Sequence, residues 1–260
     1  RKQVQAWSKD ILNMSGDVGK APKELADALY YITSSGVKTT EAINYLNLAA
    51  KGSAAGLGEV KTVADGLTSV MNAYTGTTLT AADAMDTLVK IVREGKAEPE
   101  ELAGSIGHVV SITSEMGISF QDLGASVAAL SRVGLSSSEA MTGIKRVLQT
   151  MLEPTKAATK VMDDFRRRTG DTTLTFSGLR KEAQTNLIGT LLHVKNAFGG
   201  NLEAVGKVFG SVRGLNAMLA LTGRQSAEVQ RIFNSMREDT DDLNEAFKAA
   251  SETMGFKWQQ

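Results

Sequence analysis

Histidines are the residues of this 260-residue chain that could bind a metal or transfer protons near neutral pH. There are two, His108 and His193, and each stands alone in an apolar stretch. A zinc site needs three or four converging ligands, and no His-x-x-x-His or similar spacing occurs. The absence of cysteine also removes thiolate ligands, cysteine nucleophiles and disulfides. We therefore interpret both histidines as structural residues of the core or its boundary.

Paired carboxylates could perform acid–base chemistry, and adjacent acidic pairs include Glu100–Glu101, Asp163–Asp164 and Asp241–Asp242. Neighbouring side chains point about 100° apart on a helix, so these pairs do not converge on one substrate. Two of the pairs fall at predicted helix starts, where negative charge favours the helix dipole. We interpret the pairs as solvated helix starts.

Basic residues near glycine could bind phosphate, but the required pattern is Gly-x-x-x-x-Gly-Lys followed by Ser or Thr. Before Gly19-Lys20, Met14 replaces the first glycine, and no strand is predicted there or near Gly143. The triplet 166–168 is interpreted as the basic end of a helix, with a docking role as the alternative. We predict no catalytic, cofactor-binding or metal-binding residues, and a protein that is not an enzyme.

Composition narrows the class further. The hydrophobic share is 42%, and 29 basic residues balance 29 acidic ones, so the basic excess typical of duplex binding is absent. No apolar stretch approaches the ~20 residues of a membrane span. The chain begins at Arg1 in a helix-like pattern without a signal peptide, which suggests a piece of a longer polypeptide.

Apolar residues recur with helical spacing in segment after segment, and prolines are few. The sequence therefore predicts an all-α fold. Several of the ten methionines fall on these stripes. We interpret them as residues that fill the core, with an adaptable interface as the alternative. The stripes are Leu25–Leu29–Ile32, Val63–Leu67–Val70–Tyr74, Met85–Leu88–Val92, Leu102–Ile106–Val109, Leu123–Val127–Leu130 and Ile144–Val147–Met151; methionines include Met71, Met85, Met116, Met141 and Met162.

Start and stop signals flank these stripes. Capping boxes satisfy amides of a first turn, proline is tolerated there, and glycine ends helices in the left-handed region. The predicted boxes are Thr80–Asp83, Ser119–Asp122 and Ser136–Glu139; the first-turn prolines are Pro22, Pro99 and Pro154; the terminal glycines are Gly36, Gly52, Gly76, Gly95, Gly117 and Gly134.

A loose repeat of helical hairpins follows, over 25–52, 67–95 and 102–134. Its spacing of about 40 residues is typical of stacked helical arrays. A compact helical domain whose hairpins merely resemble one another is equally compatible with the pattern. We predict repeated helical hairpins in a compact or solenoid-like array.

The sequence texture changes after Met151. We predict a helical-hairpin region over 1–153, a polar helix and threonine-rich break over 154–176, and a glycine-interrupted helical region over 177–260. Short extended structure is expected within Gly170–Thr175. Helices are predicted over Leu179–Phe198, Ser226–Arg237 and Asp241–Met254, and Gly199, Gly200, Gly206, Gly210 and Gly214 require short or tightly packed helices between them.

An ordered series of stretches within about 10–160 resembles the tail tape measure proteins of tailed bacteriophages. The series comprises 25–36 (LADALYYITSSG), 42–46 (AINYL), 49–52 (AAKG), 70–74 (VMNAY), 81–88 (AADAMDTL) up to Gly95, 101–103 (ELA) up to 116–119 (MGIS), and Leu130–Gly134 up to 138–141 (SEAM). The remainder of the chain matches more loosely.

The resemblance implies a structural protein that sets tail length, templates assembly of the tail tube and leaves the tail at genome ejection. Expected partners are the tail tube protein, tail assembly chaperones and tail tip proteins, with further copies in a homo-oligomer. The expected location is the virion, inside the tail tube, after synthesis in the bacterial host cytoplasm. Frequent glycine breaks favour a folded module rather than one extended helix. The alternatives are a helical-repeat scaffold that binds a protein partner and a tail-borne cell-wall hydrolase, for which no catalytic constellation is found.

Overall fold

The structure is a computed structural model that describes residues 2–238 and 240–253. This part of the chain contains sixteen α-helices and one π-helical turn and no strand, which confirms the all-α prediction. The helices are α1 Lys2–Val18, α2 Pro22–Ser34, α3 Ala42–Gly52, α4 Val60–Ala73, α5 Ala81–Glu94, α6 Pro99–Ser105, α7 Gly107–Glu115, α8 Phe120–Arg132, α9 Ser137–Leu152, α10 Lys156–Thr169, α11 Phe176–Ala183, α12 Leu187–Ala197, α13 Leu202–Phe209, α14 Val212–Thr222, α15 Ser226–Arg237 and α16 Asp242–Ser251, and the π-helical turn is Ser53–Leu57.

The described residues divide into two compact units. Among the described residues, unit 1 comprises 2–90, 98–107 and 240–253, and unit 2 comprises Ile91–Ala97 and His108–Glu238. The sequence-based division at 153 and 176 follows composition and stays a prediction.

Helix α4 is central to unit 1 and packs against α2, α3 and α6. Its stripe residues Val63, Leu67 and Val70 are fully buried, as expected from their helical spacing. Gly66 lies on the α6 side, where an added Cβ would be 2.9 Å from the Ala103 carbonyl oxygen. Glycine at this position therefore permits the close approach of the two helices.

Helix α8 is central to unit 2. It forms a hairpin with α9 and packs against α15, while α14 packs along α9. The hairpin turns at Gly134, which has φ +96° in the region that favours glycine. Leu123, Val127 and Leu130 of α8 are fully buried. The second hairpin helix contributes Ile144, Val147 and Met151 to the same core, so both predicted stripes are confirmed.

One predicted helix-ending glycine, Gly52, is wrong, and Gly95 ends α5 without the left-handed angles that were predicted. Gly36, Gly76, Gly117 and Gly134 have positive φ as expected, but Gly52 keeps helical angles and α3 passes into the π-helical turn. At Gly95 an added Cβ would lie 2.5 Å from the Ser131 hydroxyl. At both positions neighbouring atoms occupy the space that a Cβ would need, and neither residue has the positive φ of a left-handed cap.

One stripe residue and one proline were also assigned wrongly. On α5 Ile91 is fully buried whereas Val92 is only half-buried, so the stripe continues one residue earlier than predicted. Pro22 and Pro99 begin α2 and α6 as predicted. Pro154 instead precedes its helix, because the Thr155 hydroxyl accepts from the Ala158 N–H at 3.0 Å and α10 starts at Lys156.

The predicted helix over Leu179–Phe198 is in fact two helices, α11 and α12. They separate where the Asn186 side chain accepts from the Gly189 N–H at 2.9 Å and caps α12. Gly170–Thr175 is a turn and not extended structure, held by the Asp171 carboxylate, which accepts from the Thr173 N–H at 2.9 Å. Short polar side chains thus start new helices here.

Helix α15 agrees with its prediction, whereas α16 ends before Glu252 and Thr253, which lie within the predicted helix. Helix α15 spans Ser226–Arg237, and α16 ends at Ser251. The predicted terminus at Met254 lies outside the described residues. Four of the five stripe methionines, Met85, Met116, Met141 and Met162, are at most 4% exposed, which supports core filling. None of the described helices has the length and apolarity that a membrane crossing requires.

Substitution of Gly66 tests the close packing of α4 on α6. Gly66→Ala is expected to lower the free energy of unfolding by about 1–3 kcal/mol, because the backbone carbonyl of Ala103 cannot yield to a methyl group. Gly104→Ala on α6 is the matched control, since its added Cβ would be 4.0 Å from the Cγ2 of Thr62. It should raise that free energy by roughly 0.5–1 kcal/mol. Equal effects of the two substitutions in denaturant titrations would contradict the packing.

Candidate functional site

The two histidines lie in different surroundings. His108 is exposed on α7, so its assignment to the core or its boundary is wrong, whereas His193 on α12 is half-buried. The ring of His193 contacts Asp171 and Glu182, at 2.5 and 2.8 Å. Within residues 2–238 and 240–253 no three His, Cys, Asp or Glu side chains are grouped to hold a metal ion.

The predicted acidic pairs lie in or beside helices, but their interpretation as solvated is wrong for Asp242, which is 1% exposed because it pairs with the buried Lys90. Glu100 and Glu101 are in the first turn of α6, and Asp242 is in the first turn of α16. Asp163 and Asp164 pair with Arg166 and Arg167 on the same helix, at 3.2 and 2.5 Å. The arginine triplet occupies the last turn of α10, where positive charge is favoured.

Two open grooves are lined by charged side chains. One, of about 400 Å³, lies along α10, and the other, of about 580 Å³, lies in unit 1. The first is lined by Pro154, Lys156, Thr159, Lys160, Asp163 and Arg167, and the second by Ala21, Lys23, Glu24, Asp27, Glu59 and Lys61. Small-molecule sites are normally concave and mostly apolar, so neither groove has the features of a substrate pocket.

The best-formed polar site in unit 2 surrounds Asp122, in the first turn of α8 and 2% exposed. Its carboxylate accepts two hydrogen bonds from the guanidinium of Arg237, both at 2.8 Å. It accepts a third from the Leu187 N–H at 3.1 Å. We call Asp122, Leu187 and Arg237 the Asp122 junction, since it joins the starts of α8 and α12 to the end of α15.

The electrostatics of the Asp122 junction are favourable at all three helix ends. A carboxylate stabilises the positive N-terminal ends of α8 and α12, and a guanidinium stabilises the negative C-terminal end of α15. Arg237 also donates to the Thr185 carbonyl at 3.1 Å, just before α12. Bidentate arginine–carboxylate geometry fixes orientation as well as distance. The junction therefore sets the relative positions of three helices.

The Asp122 junction was not visible in the sequence. The Ser119–Asp122 capping box was predicted, and the Ser119 hydroxyl does accept from the Asp122 N–H at 3.0 Å. The carboxylate, however, takes partners from α12 and α15. Thr80–Asp83 and Ser136–Glu139 form the reciprocal bonds of a capping box as predicted. The N-cap residue Ser119 was the one sequence signal that Asp122 lies in the first turn of a helix.

A second polar cluster in unit 2 centres on Glu94. Its carboxylate accepts from Arg231 and from the Ser235 hydroxyl, each at 2.9 Å. Burial opposes ionisation of Glu94, but the bonds from Arg231 and Ser235 outweigh it and lower its pKa. Glu228 binds the same guanidinium at 2.9 Å, and this bond lowers the pKa of Glu228 as well. The cluster ties the end of α5 to α15.

Unit 1 contains a comparable junction between α5 and α16. Lys90 and Asp242 form an ion pair at 3.4 Å with side chains only 3% and 0% exposed. Asp86 accepts from the Leu243 N–H at 2.8 Å and so caps the start of α16. Burial raises the pKa of Asp86, the Leu243 amide opposes that rise, and the neighbouring carboxylates of Asp241 and Asp242 add to it.

These carboxylates are already engaged with amides and cations of neighbouring helices. Their geometry joins neighbouring helices within each unit of an all-α fold.

The chain belongs to the family of phage-related minor tail proteins, which matches residues 8–251. It is similar to the probable tape measure protein of Clostridium phage phiCD119, with 24% identity over 251 residues, or 95% of this chain and 26% of that protein. It is also similar to the tape measure protein of Pneumococcus phage Dp-1, with 20% identity over 164 residues, or 63% of this chain. The chain spans 26% and 14% of the lengths of these relatives. No solved structure matches it. The resemblance drawn from the sequence is thereby confirmed.

Substitution of Asp122 tests the junction. Asp122→Asn is expected to lower the free energy of unfolding by about 2 kcal/mol, because Arg237 loses its charged partner. The loss stays below that of a fully buried pair since the arginine side chain is 39% exposed. Asp164→Asn removes an exposed pair within α10 and is the matched control, with an expected loss of roughly 0–0.5 kcal/mol. Chemical denaturation of both variants measures the difference, and indistinguishable midpoints would contradict the assigned role of Asp122.

Proposed function

We propose that this chain is a folded, non-catalytic module of a phage tail tape measure protein. The family match over residues 8–251 supports a structural component of the tail. The names of the two relatives support the tape measure role in particular. The engaged polar junctions support a stabilising rather than a catalytic use of the charged residues.

The proposal extends to location and partners. A tape measure protein would be made in the host cytoplasm and would end inside the tail tube of the virion. There it would contact the tail tube protein, tail tip proteins and further copies of itself, after binding of assembly chaperones. Setting of tail length and release at genome ejection belong to the same proposal.

The lengths of the helices separate a folded module from a linear ruler. As one continuous helix the 260 residues would span ~390 Å at 1.5 Å per residue. The longest described helix, α1, has 17 residues and spans only about 26 Å. The shortness of the helices supports the assignment of length measurement to other parts of the parent protein.

Burial of the apolar stripes is the observation that carries the proposal. A ruler built as a long coiled coil would keep an apolar seam for partner helices along its length. In this chain the seams of α2, α4, α8 and α9 are covered by other helices of the same unit. The stripes therefore stabilise a folded module.

Deletion of the module in a phage tests this assignment. In a phage whose tape measure protein contains this chain, we expect in-frame removal of these 260 residues to leave tails of normal length that fail to infect, or no tails. The reason is that a folded module contributes to assembly or ejection and not to the measured length. Electron microscopy of the particles gives the tail length, with infectivity measured in parallel.

The control is an in-frame deletion of equal size in a long helical part of the same parent protein. That deletion should shorten tails by up to ~390 Å, the span of a helix of this length. Tails shortened in the same proportion by removal of the module would show that it is part of the ruler and would contradict the proposal.

A further inference from the structure

His193 lies between two carboxylates that belong to different elements of unit 2. Its Nδ1 is 2.8 Å from Glu182 Oε2, on α11, and its Nε2 is 2.5 Å from Asp171 Oδ2, in the turn after α10. The imidazole side chain on α12 is 24% exposed. One ring thus connects α11, α12 and the turn.

The chemistry of the three groups fixes the protonation of the ring. An ionised carboxylate only accepts hydrogen bonds, whereas neutral imidazole has one donor and one acceptor nitrogen. Contacts at both nitrogens with carboxylates therefore require two N–H groups. That species is imidazolium, which carries a positive charge between two negative ones.

We propose that Asp171, Glu182 and His193 form a protonation-dependent clasp. The charged ring holds α11, α12 and the turn together, and loss of one ring proton releases Glu182 and loosens α11. This device is a property of the fold and does not depend on the role of the chain in a phage tail.

The two carboxylates differ in how firmly they are held. Asp171 also accepts from the Thr173 N–H at 2.9 Å and from its hydroxyl at 2.6 Å. In the described part of the chain, the Glu182 carboxylate is hydrogen-bonded to the ring alone. The neutral ring therefore keeps its proton toward Asp171, and Glu182 turns to solvent.

Other charged groups on the helices packed against α12 are engaged elsewhere or exposed. Lys195 of α12 itself donates to the Thr222 carbonyl, and Arg180 of α11 donates to the Met151 carbonyl at 2.8 Å. Further ion pairs on these helices are Asp122–Arg237, Asp163–Arg166, Asp164–Arg167, Arg132–Glu228 and Arg231–Glu228. The exposed basic residues are Lys156, Lys160, Arg168, Lys181 and Arg213.

The pKa shifts agree with this geometry and give the pH window. Burial disfavours the charged ring, but the bonds to Glu182 and Asp171 prevail and raise the pKa of His193. The bonds from Thr173 and His193 lower the pKa of Asp171 to about 2. A raised histidine pKa contributes stability below about 6.5 that is lost as pH rises through the folded value. The Asp171 contribution is present above about 3.9 and lost as pH falls towards 2.

Nitrogen NMR of the two histidines tests the clasp in the intact chain. The chain has two histidines in all, so His108→Gln, at an exposed position, assigns the His193 resonances without disturbing the clasp. We expect both His193 nitrogens to carry protons at pH 6.5 and the ring to titrate above about 6.5. A neutral tautomer at pH 6, or titration at or below the ordinary value, would overturn the proposal.

Hydrogen exchange measures the release of α11. After correction for intrinsic rates, the amides of α11 should exchange faster above the His193 titration, by up to roughly tenfold for each unit by which its pKa exceeds 6.5. Glu182→Gln should lower the His193 titration and abolish this pH dependence, whereas Glu203→Gln, in an exposed pair on α13, should leave both unchanged. Equal pH dependence in wild type and Glu182→Gln would contradict the clasp. If Glu182→Gln does not fold, the titration of wild-type His193 decides alone.

Discussion

The free amide groups at helix starts are the constraint on which this structure depends. The first four N–H groups of a helix have no acceptor within it, and a buried group left unpaired costs about 1–3 kcal/mol. Each of the sixteen α-helices in residues 2–238 and 240–253 therefore needs acceptors for the amides of its first turn. Short polar side chains meet it locally at many starts, as Ser136, Thr155 and Asn201 do. Local caps pair these amides and so permit short helices. Short helices in turn allow the chain to fold back on itself repeatedly.

Carboxylates extend the same requirement from local to tertiary structure. Asp122 lies in the first turn of its own helix and accepts from the first amide of α12. Asp86, within α5, accepts from the Leu243 N–H in the first turn of α16. Apolar contacts are non-directional and tolerate several pairings of similar helices. Hydrogen bonds from backbone amides are directional and select one pairing of helices. The bidentate contact of Arg237 with Asp122 fixes the orientation of the paired helices. We infer that these junctions select the arrangement of hairpins, while burial of the stripes supplies most of the stability.

The sequence predicts those structural features that residues close together in the chain determine. Stripe spacing and the capping residues located most helices, because both act within one or two turns. Prediction failed at Gly52, where the helix does not end in a left-handed cap, and at the conformation of Gly95, where close packing and not a positive φ requires glycine. It also failed at the partners of Asp122, since Arg237 is 115 residues away along the chain. The family resemblance was recognisable from an ordered series of helical segments within about 10–160.

A distance between α9 and α14 tests the folded state most directly. The chain has no cysteine, so Arg146→Cys and Arg213→Cys, both at exposed positions, introduce two nitroxide labels cleanly. Gly143 and Gly214 pack against residues of the opposite helix beside these sites. Double electron–electron resonance should give a separation of roughly 10–20 Å, from helix axes about 8–10 Å apart. A separation near 100 Å, the span of the intervening residues as one helix, would contradict a folded module.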